Sequence, residues 1–242
     1  MSEEQQVNDA VVLFHMGTAA GMLNDYARAF ECFSQAAEYG YAPAMGILGF
    51  CYEKGRGTPF NYAKAVEYYQ KAADQGYAPA QSNLGWCYES GNGIEKNLSQ
   101  AIQYYLMAAK QGYAPAQGNL GYCYENGLGV VQNYKKAVEY YTQAAAVGNT
   151  FSQYNLGWCY ETGRGVELDM NKALSWFQRS AKSGYAPAQN HLGYCYEHGK
   201  GAQTNLLLAY EWYNNAAAQG HSAAVHNLER LKKRGVSQEE RN

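Results

Sequence analysis

The sequence predicts an all-α protein, an α-solenoid of 36-residue helix-turn-helix repeats closed by a C-terminal capping helix. Two observations carry that prediction. Leu48, Leu84, Leu120, Leu156, Leu192 and Leu228 lie 36 residues apart without exception, and Gly49, Gly85, Gly121, Gly157 and Gly193 keep the same period, as do Cys51, Cys87, Cys123, Cys159 and Cys195. Within each period, two stretches with apolar residues at helical spacing flank a Gly-x-Gly break. A fixed period of this length marks stacked supersecondary units.

Counted from the loop proline, the repeats run over about 42–77, 78–113, 114–149, 150–185 and 186–221. A worn first copy covers 6–41, where Gly21, Ala36, Ala37 and Gly40 stay in register, and 222–235 forms one further helix ending near Gly235. The whole of 1–242 is expected to be a single solenoid domain. Repeat 78–113 shows the logic. Gly76 suits a helix stop, and Pro79 suits a first helical turn, where its missing N–H costs nothing. Ala80, Leu84, Cys87 and Tyr88 then form an apolar stripe, which ends at Gly91-Asn92-Gly93. Asn97 is placed to cap a second helix, as are Asn61, Asn133, Asp169 and Asn205. The second stripe is Leu98, Ala101, Tyr105 and Ala108, stopping at Gly112. Gly85, Ala101, Ala108 and Ala109 remove bulk where helices press together. Neither helix buries its stripe alone, so stability must come from stacking.

Composition sets the outer limits. Of 242 residues, 47% are apolar and 17% charged, which is globular rather than disordered. A net charge of −2 gives no general reason to attract nucleic acid or an anionic membrane. The opening MSEEQQVNDA carries acid and amide where a secretory leader needs basic residues and then an apolar run. No apolar run approaches the ~18 residues of a membrane span. The expectation is a soluble, cytoplasmic chain.

The register Leu84-Gly85-Trp86-Cys87-Tyr88, then Gly91-x-Gly93, then Ala101-x-x-Tyr104-Tyr105-x-x-Ala108-Ala109-x-x-Gly112, resembles the Sel-one-like repeat (SLR) family, relatives of tetratricopeptide repeats. Tetratricopeptide repeats share the Leu-Gly-x-x-Tyr kernel but usually have ~34 residues; a period of 36 with an internal Gly-x-Gly turn fits the SLR branch. The resemblance covers nearly the whole chain. It implies a right-handed superhelix with a concave groove that holds protein partners in adaptor and signalling assemblies. A cysteine-rich secreted branch, associated with β-lactam binding or hydrolysis, carries a disulfide in each repeat. That branch needs two cysteines per repeat, and the full repeats here have one. Equivalent helices of adjacent repeats should lie ~8–10 Å apart, beyond the ~7 Å between Cα atoms that a disulfide allows. The five in-register cysteines are therefore expected to be small buried hydrophobes in a reducing compartment. A bridge from Cys32, which sits outside the register, to Cys51 is the remaining alternative.

Recognition should belong to the arc of each first helix that does not face the core. At 100° per residue, Leu84 and Tyr88 point inward, leaving Ser82, Trp86 and Glu89 near the opposite side. The corresponding sets are Gly46, Phe50, Glu53; Gly118, Tyr122, Glu125; Tyr154, Trp158, Glu161; and Asn190, Tyr194, Glu197. An aromatic ladder would run beside a row of glutamates, flanked by Asn83, Asn119, Asn155 and His191. Large aromatics anchor partners at low rotamer cost, and the glutamates would favour a protein or peptide bearing Lys or Arg. The competing reading is architectural: the aromatics wedge between neighbouring first helices, and the glutamates satisfy the next repeat's backbone or solvate the surface. Two departures from the repeat stand out. Asn149-Thr150-Phe151-Ser152 replaces Tyr-Ala-Pro-Ala, through drift, to change the local superhelix curvature, or to present Phe151 as a contact. Leu207 and Leu208 occupy positions that are polar or small elsewhere; they mark either a homodimer contact or a surface covered by the C-terminal segment.

No catalytic residue, metal site or cofactor is assigned. The Gly-x-Gly turns lack the strand and the Gly-Lys-Ser/Thr ending of a phosphate loop. His191 and His198 are two helical turns apart, ~10 Å of rise, too far to share a metal directly; His221 and His226 could approach them across the turn, but no zinc site is expected. Carboxylates that recur in every repeat argue for architecture, since an acid–base pair needs one special location. Lys232, Lys233 and Arg234 suit the dipole at a helix C-terminus. The functional expectation is a non-enzymatic protein-interaction scaffold. The alternatives are an enzyme-like SLR protein acting on a β-lactam or cell-wall fragment, and a structural homodimer.

Overall fold

The computed structural model describes residues 3–236; the ends of the expected domain, 1–2 and 237–242, lie outside them. Thirteen α-helices follow one another with no strand among the described residues. They are α1 (Glu3–Met22), α2 (Tyr26–Glu38), α3 (Ala42–Lys54), α4 (Tyr62–Asp74), α5 (Ala78–Ser90), α6 (Leu98–Lys110), α7 (Ala114–Asn126), α8 (Tyr134–Ala146), α9 (Thr150–Thr162), α10 (Met170–Lys182), α11 (Ala186–His198), α12 (Leu206–Ala218) and α13 (Ser222–Lys233). Consecutive helices pair as an α-solenoid of 36-residue repeats with one helix left over at the C-terminus. Contacts divide the described chain into two compact units, 3–116 with 128–130 and 117–127 with 131–236. In the first unit α1 packs on α2, α3 on α4 and α5 on α6, while α2 meets α3 and α4 meets α5. In the second, α9 packs on α8 and α10, and α11, α12 and α13 continue in the same way.

The helix boundaries follow from local chemistry. Asn61, Asn97, Asn133, Asp169 and Asn205 each accept a hydrogen bond from the backbone N–H three residues on, as expected of N-caps. The first helices of three repeats start with proline in the first turn and end on Gly55, Gly91 and Gly199 in the left-handed conformation. The second glycine of each turn answers a different demand. A Cβ on Gly93 or Gly165 would drive into the backbone at Tyr62 or Tyr134, and one on Gly201 would lie 2.8 Å from the Met170 carbonyl oxygen. Each turn thus lies against the start of the preceding repeat's second helix, too close for any side chain.

The core repeats one interlock. Tyr69, Tyr105, Tyr141 and Tyr213 are fully buried, and each ring lies against a first-helix glycine. A Cβ on Gly85 would sit 2.8 Å from the Tyr105 ring, and one on Gly193 would sit 2.7 Å from Tyr213. The hydroxyl beyond the ring then needs an acceptor, because a buried unpaired O–H is costly. A glutamate one turn past the glycine supplies it. Tyr69 donates to Glu53 at 2.7 Å, Tyr105 to Glu89 at 2.7 Å, Tyr141 to Glu125 at 2.8 Å and Tyr213 to Glu197 at 3.0 Å. Burial first, and then the acceptor carboxylate, push the Tyr69 phenol far above its ordinary pKa. A second recurring device uses glutamine. Gln81, Gln153 and Gln189, in the first turn of α5, α9 and α11, donate to the carbonyls of Ala73, Ala145 and Ala181 near the end of the preceding helix.

The structure bears out the cysteines as buried thiols and alters several other particulars of the sequence expectation. All six cysteines are free thiols, Cys32 and Cys51 included. Burial pushes the thiol of Cys51 up to about 11 and those of Cys87, Cys159 and Cys195 to about 12, so they remain protonated hydrophobes. Gly21 lies inside α1 rather than in a turn, because α1 runs on to Met22 and only 23–25 link it to α2. Asn149 does more than drift: its side chain accepts from the Ser152 N–H at 2.8 Å, capping α9 where tyrosine stands without a side-chain cap bond in α3, α5 and α11. Phe151 is half-buried against Tyr141 and its neighbours. Leu207 and Leu208 are half-buried, and Leu207 packs on the cluster formed by Tyr210, Tyr213, Leu228 and Leu231. Arg234 is engaged by a side chain, not only by the helix dipole: its guanidinium lies 3.0 Å from Glu197.

The interlock predicts two stability losses. Tyr69→Phe should cost about 1–3 kcal/mol by removing the bond to a buried carboxylate. Gly85→Ala should cost a similar ~1–3 kcal/mol by overpacking against Tyr105. Urea denaturation at neutral pH measures both; unchanged midpoints would contradict the interlock.

Candidate functional site

Each first helix shows its outward arc differently, and the aromatic row divides. Trp86 and Tyr122 are exposed, at 36% and 42% of their surface. Phe50, Tyr154, Trp158 and Tyr194 are half-buried. Trp86 leans toward Tyr62 with 6.2 Å between rings. Tyr154 packs edge-on against Tyr185 at 5.5 Å, so it belongs largely to the interior. Ser82 is buried at 4% and offers no open surface. At Gly46, the same register position in the preceding repeat, the Tyr77 ring opening the next repeat leaves no room for a Cβ: it would lie 2.6 Å away. Asn190 is half-buried and accepts from Asn227 at 3.0 Å.

The glutamates, expected on the partner-facing surface, are engaged inside the fold. Glu53 and Glu197 are buried; Glu89, Glu125 and Glu161 are half-buried, and four of the five take the tyrosine hydroxyls described above. Their charge is also partly answered. Lys54 lies 2.7 Å from Glu53, Arg164 3.8 Å from Glu125 and Lys200 3.5 Å from Glu161. Arg230 grips Glu197 with two parallel bonds of 2.8 and 2.7 Å. Glu89 has the Tyr105 hydroxyl and, among the described residues, no cation. The sequence gives no sign of this engagement, since a tyrosine sixteen residues away joins the glutamate only once the helices are paired.

In the second unit the outward row does converge. Tyr122, Glu125, Tyr154, Asn155, Trp158 and Arg164 line one pocket of about 270 Å³ between α7 and α9. The Asn155 side-chain nitrogen is buried in this wall and has no hydrogen-bond partner. In the first unit Phe50, Tyr77, Asn83 and Tyr113 line a comparable recess of about 250 Å³. Among the described residues no three His, Cys, Asp or Glu side chains gather as a metal site. The C-terminal histidines have separate duties: His221 caps α13 through its Nδ1, and the His198 ring lies 3.1 Å from the Tyr194 carbonyl.

One repeat solves the interlock by substitution. Phe177 stands where the repeats on either side have Tyr141 and Tyr213, so Glu161 loses its donor within the repeat. His191, at the register position of Asn83, Asn119 and Asn155, replaces it: its Nε2 lies 2.7 Å from Glu161 Oε2. The imidazole is buried among Trp158, Phe177 and Tyr194, with centroids at 4.5, 4.4 and 5.9 Å. Burial works to raise the Glu161 pKa, but the hydrogen bonds and charges of His191 and Lys200 outweigh it and hold the carboxyl below its ordinary value. Glu197 is treated likewise: burial raises, and Arg230 and Tyr213 lower by more.

Two tests follow. His191→Asn should lower stability by about 1–3 kcal/mol, and adding Phe177→Tyr should restore most of the loss by rebuilding the Tyr–Glu bond; a coupling near zero in the double-mutant cycle contradicts the substitution. The depressed folded-state carboxyls stabilise fully above their ordinary value of 4.5 and lose that contribution as pH falls through the lower folded value. The urea midpoint should therefore drop below pH 4.5, and less steeply in Arg230→Met.

No described helix is long and apolar enough to cross a membrane. Comparison with known proteins gives the fold its relatives. A Sel1 repeat protein from Oxalobacter formigenes superposes with a TM-score of 0.81 at 33% identity, covering 94% of this chain and 89% of that one. A protective antigen present in uropathogenic Escherichia coli strains, with an SLR fold, gives a TM-score of 0.76 at 34% identity, covering 97% of this chain and 52% of that one. Among curated sequences, DAP3-binding cell death enhancer 1 of Rattus norvegicus is 41% identical over 54 residues, 22% of this chain, and the match spans only 11% of that relative's length. The Sel1 repeat model matches residues 6–41, 42–77, 78–113, 114–149, 150–185 and 186–221, and the chain belongs to the Sel1 repeat family.

Proposed function

We propose that this chain is a non-catalytic scaffold that holds a peptide or protein segment against the outward row of its first helices, gripping a Lys or Arg side chain at the pocket between α7 and α9. Sel1 repeat solenoids generally serve as protein-interaction scaffolds and are typically non-catalytic. The observation that carries the finer reading is the pocket itself. Residues one repeat apart, Tyr122 with Glu125 and Trp158 with Arg164, meet beside an amide nitrogen that lacks an acceptor. The exposed Tyr122 ring and the half-buried Trp158 ring offer π faces to a cation. Glu125 attracts the same charge, and its bond to Arg164 at 3.8 Å is long enough to yield to a better-placed ligand cation.

The ligand class is testable with an array of short peptides in which Lys, Arg, Glu or Leu alternates in a neutral background. Basic peptides should bind best, with affinity falling as salt is added. Tyr122→Ala should weaken binding by about tenfold, the scale of one exposed aromatic anchor, while leaving the melting temperature within a degree or two of the parent. Equal retention of acidic and basic peptides, or no effect of Tyr122→Ala, would remove this pocket as the site.

A further inference from the structure

The first repeat lacks the interlock of the others, and a cavity stands in its place. A Cβ on Gly17 would lie 2.8 Å from the Phe33 ring and 3.1 Å from the Ala29 carbonyl, as one on Gly85 would lie 2.8 Å from Tyr105 and 3.2 Å from the Ala101 carbonyl. Gly17 is therefore the spatial counterpart of Gly85. Four residues past Gly85 comes Glu89, the acceptor; four past Gly17 comes Gly21, with no side chain. The tyrosine is likewise replaced by Phe33, so both polar halves of the device are missing. The space left is a pocket of about 290 Å³ whose walls include Gly17, Gly21, Met22, Phe33, Ile47 and Phe50, with Arg56 at its edge. That volume falls just below the ~300–1,000 Å³ of small-molecule sites.

Arg56 is the unexplained charge. It occupies the middle position of its Gly-x-Gly turn, where Arg164 and Lys200 in later repeats pair with the preceding repeat's Glu125 and Glu161. The glutamate it would pair with is Gly21, and among the described residues Arg56 makes no ion pair. Its guanidinium is held between the Tyr26 and Phe50 rings, 5.3 Å from each centroid, and so is already oriented at the cavity. We infer that this pocket binds a medium-chain fatty acid, its carboxylate on Arg56 in place of the absent glutamate and its chain along Gly21 and Phe33. A peptide suits the pocket less well. Its amides would need partners, and the walls offer few: the Thr18 hydroxyl is already committed to the Phe14 carbonyl at 2.9 Å. An alkyl chain has no such need.

Calorimetric titration of the full chain with octanoate, 1-octanol and acetyl-Gly-Gly-Leu tests the inference. Octanoate should bind one to one, saturably at or below about 1 mM. Arg56→Gln should weaken octanoate by about tenfold and leave octanol unchanged. Gly21→Leu fills the cavity, and its Cβ meets only the Ala29 Cβ at 3.9 Å; helix propensity favours it, so octanoate binding should vanish with no fall in melting temperature. No saturable octanoate binding, octanoate insensitive to both variants, or tighter binding of the tripeptide than of octanoate would each overturn the inference. None of these results bears on the α7–α9 pocket, whose residues are not touched.

Discussion

The solenoid depends on one close approach, that of a second-helix aromatic ring to a first-helix glycine. Only a residue without a Cβ lets the two helices come near enough for the ring to be fully buried, and burying a tyrosine there commits the fold to an acceptor for its hydroxyl. The carboxylate one turn further along the first helix is the acceptor. Steric fit and polar satisfaction are thus the same event. The combination is specific in a way that apolar packing alone is not: a shifted pairing of the helices would leave both a buried hydroxyl and a half-buried charge without partners.

The variations on this device show what it has to satisfy. Where Phe177 removes the hydroxyl, the next repeat's His191 reaches back to the glutamate, so a bond within one repeat becomes a bond between two. At Glu197, Arg230 of α13 and Arg234 just past its end add charged partners to the Tyr213 hydroxyl. A buried or half-buried carboxylate must be answered by something, and the chain answers it from whichever element is adjacent. Only in the first repeat are both hydroxyl and carboxylate gone, and there a cavity bordered by an arginine remains.

The same accounting separates architecture from recognition along the first helices. Glutamates that face outward on a helical wheel are largely occupied by tyrosines and basic residues. What stays available is narrower: the exposed faces of Trp86 and Tyr122, and the recess where Tyr122 and Trp158 meet near the unpaired Asn155 nitrogen. The proposed binding rests on these aromatic faces and on the Glu125 carboxylate beside them.

The 36-residue period, the helix-turn-helix units, the Asn and Asp caps and the glycine stops are all legible in the amino-acid sequence, because each is set by interactions within a few residues. The buried stripes are legible too, since helical spacing fixes which side chains share a face. The roles of Glu53, Glu89, Glu125 and Glu197, of Ser82, and of His191 are not. Each is decided by a group sixteen or more residues distant, or by a neighbouring helix that covers the position. Periodicity reports which way a side chain leaves its own helix; only packing decides what it meets there, and an outward-pointing position in a stack is often inward to the next repeat.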